Sequence, residues 1–196
     1  MAHNSEEKAH AALAINEPRK ETKLNPAYAG LKPDSDNKLL NKEFYRINSL
    51  NNINSNEPRT CEPQDLERLV NKMRQFNHII GQASRRHDVP KKLIAAIIQV
   101  ESNWDTESAE GLMQLQQLAQ EETGVKNASD VKQNINGGTQ YLKQMCVLFG
   151  CVELGIVAYN IGPTKLRIIL ADRRYRKIPP DAIQYAQRVM YLYQSA

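Results

Sequence analysis

The sequence predicts a mainly α-helical domain over residues 63–196, preceded by a disordered leader over residues 1–62. Three observations carry that prediction. Apolar residues recur every three or four positions from Leu66 through Ala83, the spacing of one face of a helix. A dense aliphatic run from Leu93 to Val100 leaves no polar face, so it reads as a helix buried on most sides. No stretch alternates apolar and polar residues in the manner of a strand.

Taken in order, residues 1–60 are rich in asparagine and mixed in charge, without a sustained hydrophobic period. Short helical turns are expected only near Glu7–Ile15 and Asn37–Ile47, and the segment suits a linker, a secretion address or a partner-binding tail equally well. Met1 to Lys20 lacks the basic start, apolar core and small-residue cleavage site of a secretory signal. The mean hydropathy of −0.59 is low for a chain of 196 residues with one buried core, which fits a part lying outside it.

Pro63 suits the first turn of an amphipathic helix carrying Leu66, Leu69, Val70, Met73, Phe76, Ile79, Ile80 and Ala83. His78, beside that stripe, reads as a packed or exposed histidine rather than a ligand. Arg85 to Val89 break the helix, and Pro90 opens the aliphatic one. A loop through Trp104 and Asp105 leads to a helix expected from Glu110 to a stop at Gly124. Further helices are expected from Asp130 to Phe149, Val152 to Asn160, Leu166 to Leu170 and Asp181 to Tyr193. No stretch is long enough for a membrane span.

The chemistry centres on Glu101, at the C-terminal end of the aliphatic helix. The helix dipole and apolar neighbours both disfavour a negative charge there, so its pKa is expected to rise toward neutrality, where a carboxyl serves as a general acid. Taken alone, Glu101 reads more readily as a carboxylate emerging into solvent where the helix stops.

Glu101-Ser102, Gly111-Leu112-Met113-Gln114 and Ala158-Tyr159-Asn160 with Gly162-Pro163 occur in an order that resembles the soluble lytic transglycosylase family, relatives of goose-type lysozyme. The resemblance runs from about Leu66 to Tyr193 and includes Asn134-Ile135, Gly138, Tyr141-Leu142 and a closing Tyr185, Arg188 and Val189. It implies a lysozyme-like fold and an enzyme, a peptidoglycan lytic transglycosylase. Such an enzyme cleaves the β-1,4 bond between N-acetylmuramic acid and N-acetylglucosamine without water and leaves a 1,6-anhydromuramic end. Glu101 is the implied catalytic residue, first as acid and then as base. Ser102, Met113, Gln114, Tyr159, Asn160 and Tyr185 are the implied substrate-binding residues, with no metal or other cofactor. The implied partner is the peptidoglycan glycan strand, met in the periplasm or cell wall, with a secretion, conjugation or phage-tail apparatus as candidate partner of residues 1–62.

The sequence departs from the family in one place. The stretch Asn103 to Glu110 is shorter than the usual connection between the Glu-Ser and Gly-Leu-Met-Gln motifs and lacks its Gly-Ala pair. Ser108 stands as the replacement for the family's cleft serine, or Glu107-Ser108 as a shifted copy of the Glu-Ser pair. A displaced loop moves Gln114 relative to Glu101. Two alternatives therefore stay open: a hydrolytic muramidase of goose-lysozyme type with Asp105, Glu107 or Glu110 as second carboxylate, and a catalytically degenerate protein that binds peptidoglycan or an assembly partner.

The net charge of +4 is modest. Lys165, Arg167, Arg173, Arg174, Arg176 and Lys177 form a basic stretch against Asp172, a solvated face or a polyanion site, but no nucleic-acid-binding motif accompanies it. Of the 3 cysteines, Cys61 lies in the leader. Cys146 and Cys151 flank an expected helix end at Phe149-Gly150 and read as idle thiols or, in an oxidising compartment, a disulfide. Neither has a histidine at zinc-ligand spacing.

Overall fold

The computed structural model describes residues 63–171 and 177–195. The leader over residues 1–62, with its expected helical turns and Cys61, lies outside the described residues, as do Asp172, Arg173, Arg174 and Arg176 of the basic stretch. The described residues form helices joined by turns, with no strand: α1 (Pro63–Gln75), α2 (Asn77–His87), α3 (Lys91–Ser102), α4 (Gln117–Thr123), α5 (Val131–Phe149), α6 (Val152–Ile161), α7 (Pro163–Ala171) and α8 (Pro180–Ser195).

The aliphatic helix α3 is central, every residue from Leu93 to Gln99 being buried. Its apolar character on all sides is satisfied by α8, α1 and α2 packed around it. On α8, Ala182, Ile183, Ala186, Val189 and Leu192 are buried at helical spacing, and that face meets α3 and α6. The long helix α5 packs against α2, α4 and α6. Asp130 caps it, its Oδ1 accepting from Gln133 N at 2.7 Å.

Two expectations need correction. The stripe from Leu66 to Ala83 belongs to two helices, because Phe76 (φ −98°, ψ 11°) interrupts the run and turns its ring onto Trp104, centroids 5.7 Å apart. The helix expected from Glu110 begins only at Gln117. Gly111 (φ 72°) and Gln114 (φ 45°) take the left-handed conformation, which a right-handed helix excludes, so Glu110 to Leu115 form successive turns.

α5 and α6 meet at a bend of 120°, made where Gly150 takes φ 70°. No single described helix is long and apolar enough to cross a membrane. Cys146 and Cys151 on either side of the bend are free thiols, and Cys151 Sγ caps α6 by accepting from Leu154 N at 3.4 Å. Burial pushes the Cys146 thiol up to about 12 and the Cys151 thiol up to about 11. Alkylation by iodoacetamide at pH 8 is therefore expected to be at least about tenfold slower at both than in the unfolded chain, since the thiolate is the nucleophile. Labelling of the native protein at the unfolded rate, followed by peptide mass mapping, would contradict this.

Candidate active site

A cleft of about 520 Å³ opens at the C-terminal end of α3, lined by Glu101, Ser102, Gln114, Ser108 and Asp105, with Asp65, Gln99, Val100, Asn103 and Arg188 completing the wall. Glu101 lies in the last turn of α3, and Tyr185 Oη on α8 donates to its Oε1 at 2.6 Å. Burial is the largest influence on this carboxyl and raises its pKa from 4.5 to about 7; the Tyr185 bond opposes the rise and the Glu110 charge adds to it. Burial holds the Tyr185 phenol well above its usual range, with the nearby Glu101 charge adding to the effect, so it remains a neutral donor. With Oε1 engaged by that donor, Oε2 is the oxygen suited to carry the proton.

Gln114 joins the cleft lining at the end of the Gly111-Leu112-Met113-Gln114 turn, which is held by side chains from three helices. Asn134 of α5 is fully buried and grips both ends, its Nδ2 donating to Glu110 O at 2.8 Å and its Oδ1 accepting from Met113 N at 2.7 Å. Tyr159 of α6 donates from Oη to Met113 O at 2.7 Å. Ser102 of α3 places Oγ 2.8 Å from Leu112 O. Each bond of this kind contributes about 1 kcal/mol and fixes the turn against the helices that hold it. Gly111 fits because nothing larger does: a Cβ there would stand 2.1 Å from Ala128 O and 2.3 Å from Asn134 Nδ2.

Of the residues expected at the site, Glu101, Ser102 and Gln114 line the cleft together, and Tyr185 reaches it through its bond to Glu101. Gln114 Nε2 donates to Ser108 Oγ and to Gly111 O, both at 2.7 Å, which leaves its Oε1 as the acceptor for a ligand. Tyr159 is buried, edge-on to Tyr141, with its hydroxyl spent on the turn. Met113 is fully buried and absent from the cleft wall, because Gly138 leaves the space its thioether fills. Asn160 is exposed at the end of α6, away from the cleft lining. Glu107 is exposed in the loop, whereas Ser108 lines the cleft, so Glu107-Ser108 does not duplicate the Glu-Ser pair on a buried helix.

Asp65, Gln99, Asn103 and Arg188 lie outside the site residues that the sequence implies, as does Asn134, the grip on the turn. Two of them carried a signal. Arg188 stands three residues after Tyr185 and so shares its helix face. Gln99 is a polar residue inside a run that reads as buried, and a buried amide requires partners.

The fold and cleft define an all-helical domain with a half-buried, near-neutral carboxyl facing a polar groove across a fixed turn. Residues 78–188 match the family model described as the transglycosylase SLT domain, and the chain belongs to that family. A membrane-bound lytic murein transglycosylase F of Desulfosudis oleivorans is 29% identical over 138 residues, 64% of this chain and 30% of its own. A transglycosylase of Enterobacteria phage PRD1 is 34% identical over 93 residues, 45% of this chain and 35% of its own. A membrane-bound lytic murein transglycosylase F of Cronobacter sakazakii is 36% identical over 107 residues, 48% of this chain and 21% of its own. The chain thus spans about a third or less of the length of these relatives.

Proposed function

We propose that this chain is a peptidoglycan lytic transglycosylase that cleaves the β-1,4 bond between N-acetylmuramic acid and N-acetylglucosamine, with Glu101 as acid and base in turn. The observation that carries the reading is the Glu101 carboxyl, raised to about 7 by burial and steered by Tyr185 at the base of the cleft. At neutral pH a large fraction of it holds the proton that the leaving oxygen needs. As the C1–O bond breaks, that proton passes from Oε2 to the glycosidic oxygen and positive charge develops at C1. The Glu101 carboxylate then takes the proton of the sugar's C6 hydroxyl while its oxygen bonds to C1 and closes the anhydro ring. This route belongs with the substrate-assisted exceptions to the two-carboxylate pattern of glycosidases.

Gln114 Oε1 serves as an acceptor for an acetamido N–H or hydroxyl of the strand, and Ser102 and Tyr159 hold the wall that carries it. Action in the periplasm or cell wall follows from that substrate. The similarity to a phage transglycosylase supports a role in wall passage for a larger apparatus, with residues 1–62 as its candidate contact.

The hydrolytic alternative retains one favourable observation, since Asp105 also lines the cleft. Sacculus clearing followed together with reducing-end release separates the two. Clearing without new reducing ends supports the transglycosylase, and matched reducing ends overturn it in favour of a muramidase. Glycan binding without clearing overturns both in favour of a binding protein.

The same assay carries a pH expectation. The acid must be protonated in the free enzyme, so kcat/KM is expected to fall as pH rises through about 7, with the slope of one ionisation. Tyr185→Phe removes the bond that favours the charged form, so its alkaline limb is expected at higher pH with a lower plateau. A limb that moves to lower pH would contradict the assigned role of Tyr185.

A further inference from the structure

Gln99 is 4% exposed on the buried face of α3, two residues before Glu101, and its amide is bonded on both sides. Its Oε1 accepts from Trp104 Nε1 at 2.7 Å, and its Nε2 donates to Asn103 Oδ1 at 2.7 Å and, more weakly, to Asp65 Oδ1 at 3.4 Å. Asn103 Oδ1 also accepts from Arg68 at 2.6 Å. Asn103 (φ 52°) and Trp104 (φ 67°) are consecutive left-handed residues without glycine, a conformation that persists only where the surroundings enforce it. Trp104 is almost fully buried against Phe76. These two residues turn the chain back immediately after Glu101-Ser102, so that Ser102 meets Leu112 O and Ser108 meets Gln114.

We propose that Gln99 is a positioning residue that clamps this left-handed pair, and so sets the distance between Glu101 and the Gln114 wall across the shortened Asn103–Glu110 connection. The clamp rests on the family match only in part, because Asp65 and Arg68 belong to α1, which precedes the matched residues 78–188. The effect on catalysis rests on the glycan-cleaving reading above. Gln99 touches no reacting atom; it acts through the backbone that carries Ser108 and Gln114.

The test measures kcat and KM on peptidoglycan for Gln99→Met, Trp104→Phe and the double variant, each rate normalised to folded protein. Trp104 is the 1 tryptophan of the chain, so the emission of Gln99→Met reports this clamp alone. Loss of the clamp is expected to lower kcat by about ten- to a hundredfold, the penalty of a misplacement near one ångström, with little change in KM or in the pH midpoint. The emission of Gln99→Met is expected to shift to longer wavelength, and the double variant to be no slower than Gln99→Met, because both substitutions cut the same bond. Trp104→Phe keeps the ring stack on Phe76 and gives a second reading should Gln99→Met fold poorly. Wild-type kcat in a folded Gln99→Met, additive losses in the double variant, or losses that vanish on normalisation would each overturn the proposal. Were the unsubstituted protein inactive on peptidoglycan, the glycan-cleaving reading would fall by itself. The emission of Gln99→Met would then decide the clamp, an unmoved spectrum overturning it.

Discussion

Glu101→Gln is expected to lower glycan-strand turnover by about 10²–10⁴-fold, the usual contribution of a positioned acid and base, and to stabilise the protein above neutral pH. The two effects share one cause. The native carboxyl titrates at about 7, above its ordinary 4.5, because burial disfavours the charge. Below the lower value both native and unfolded chains hold the proton, and the favourable contribution of the buried neutral acid is complete. Between the two values the native state holds a proton that the unfolded chain has released, so stability falls as pH rises, and the contribution is lost once pH passes the native value. The amide does not titrate, so the variant gains on the order of 2–3 kcal/mol over the wild type above pH 7 and nothing below about pH 4.5. Urea denaturation of both proteins at pH 4.5 and pH 8 measures this. An equal difference at both pH values, or a less stable variant at pH 8, would contradict the environment assigned to Glu101.

Gly111→Ala is expected to destabilise the domain by about 3 kcal/mol or more, a large effect for one methyl group. The new Cβ would meet the Ala128 carbonyl and the Asn134 amide at 2.1 and 2.3 Å, and neither can retreat cheaply. Ala128 O is backbone, and Asn134 is fixed by its bonds to Glu110 O and Met113 N. The left-handed φ of 72° adds its own strain. Denaturant titration checks the prediction, and a loss under about 1 kcal/mol, within the ordinary range for single substitutions, would contradict the packing described here. Gly124→Ala is the informative companion, because its φ is the same and its Cβ meets nothing within 4 Å. The difference between the two isolates the clash from the conformational strain.

The buried helix α3 was legible because its aliphatic density can be satisfied only by burial, and the raised pKa of Glu101 because its apolar neighbours disfavour the charge. The α8 face was legible from its spacing, and Tyr185 from motif order, although its bond to Glu101 spans 84 residues of sequence. The composition from Glu110 to Leu115 permits a helix; what excludes one is the left-handed backbone at Gly111 and Gln114, in a turn held by tertiary bonds from Asn134 and Tyr159. Met113 was expected at a sugar face, but its place is decided by the empty Cα of Gly138, twenty-five residues further along. Gln99 and Asn134 are legible only in part, for the same reason. A buried amide announces that it needs partners without saying which backbone or side-chain groups will come to meet it.

The most direct measurement is mass spectrometry of the soluble muropeptides released from purified peptidoglycan by the wild-type protein and by Glu101→Gln. Products lighter by one water than the reducing muropeptides, formed by the wild type and absent with the variant, are the predicted result. Reducing products, or anhydro products that persist undiminished in Glu101→Gln, would contradict cleavage by Glu101 through an intramolecular ring closure.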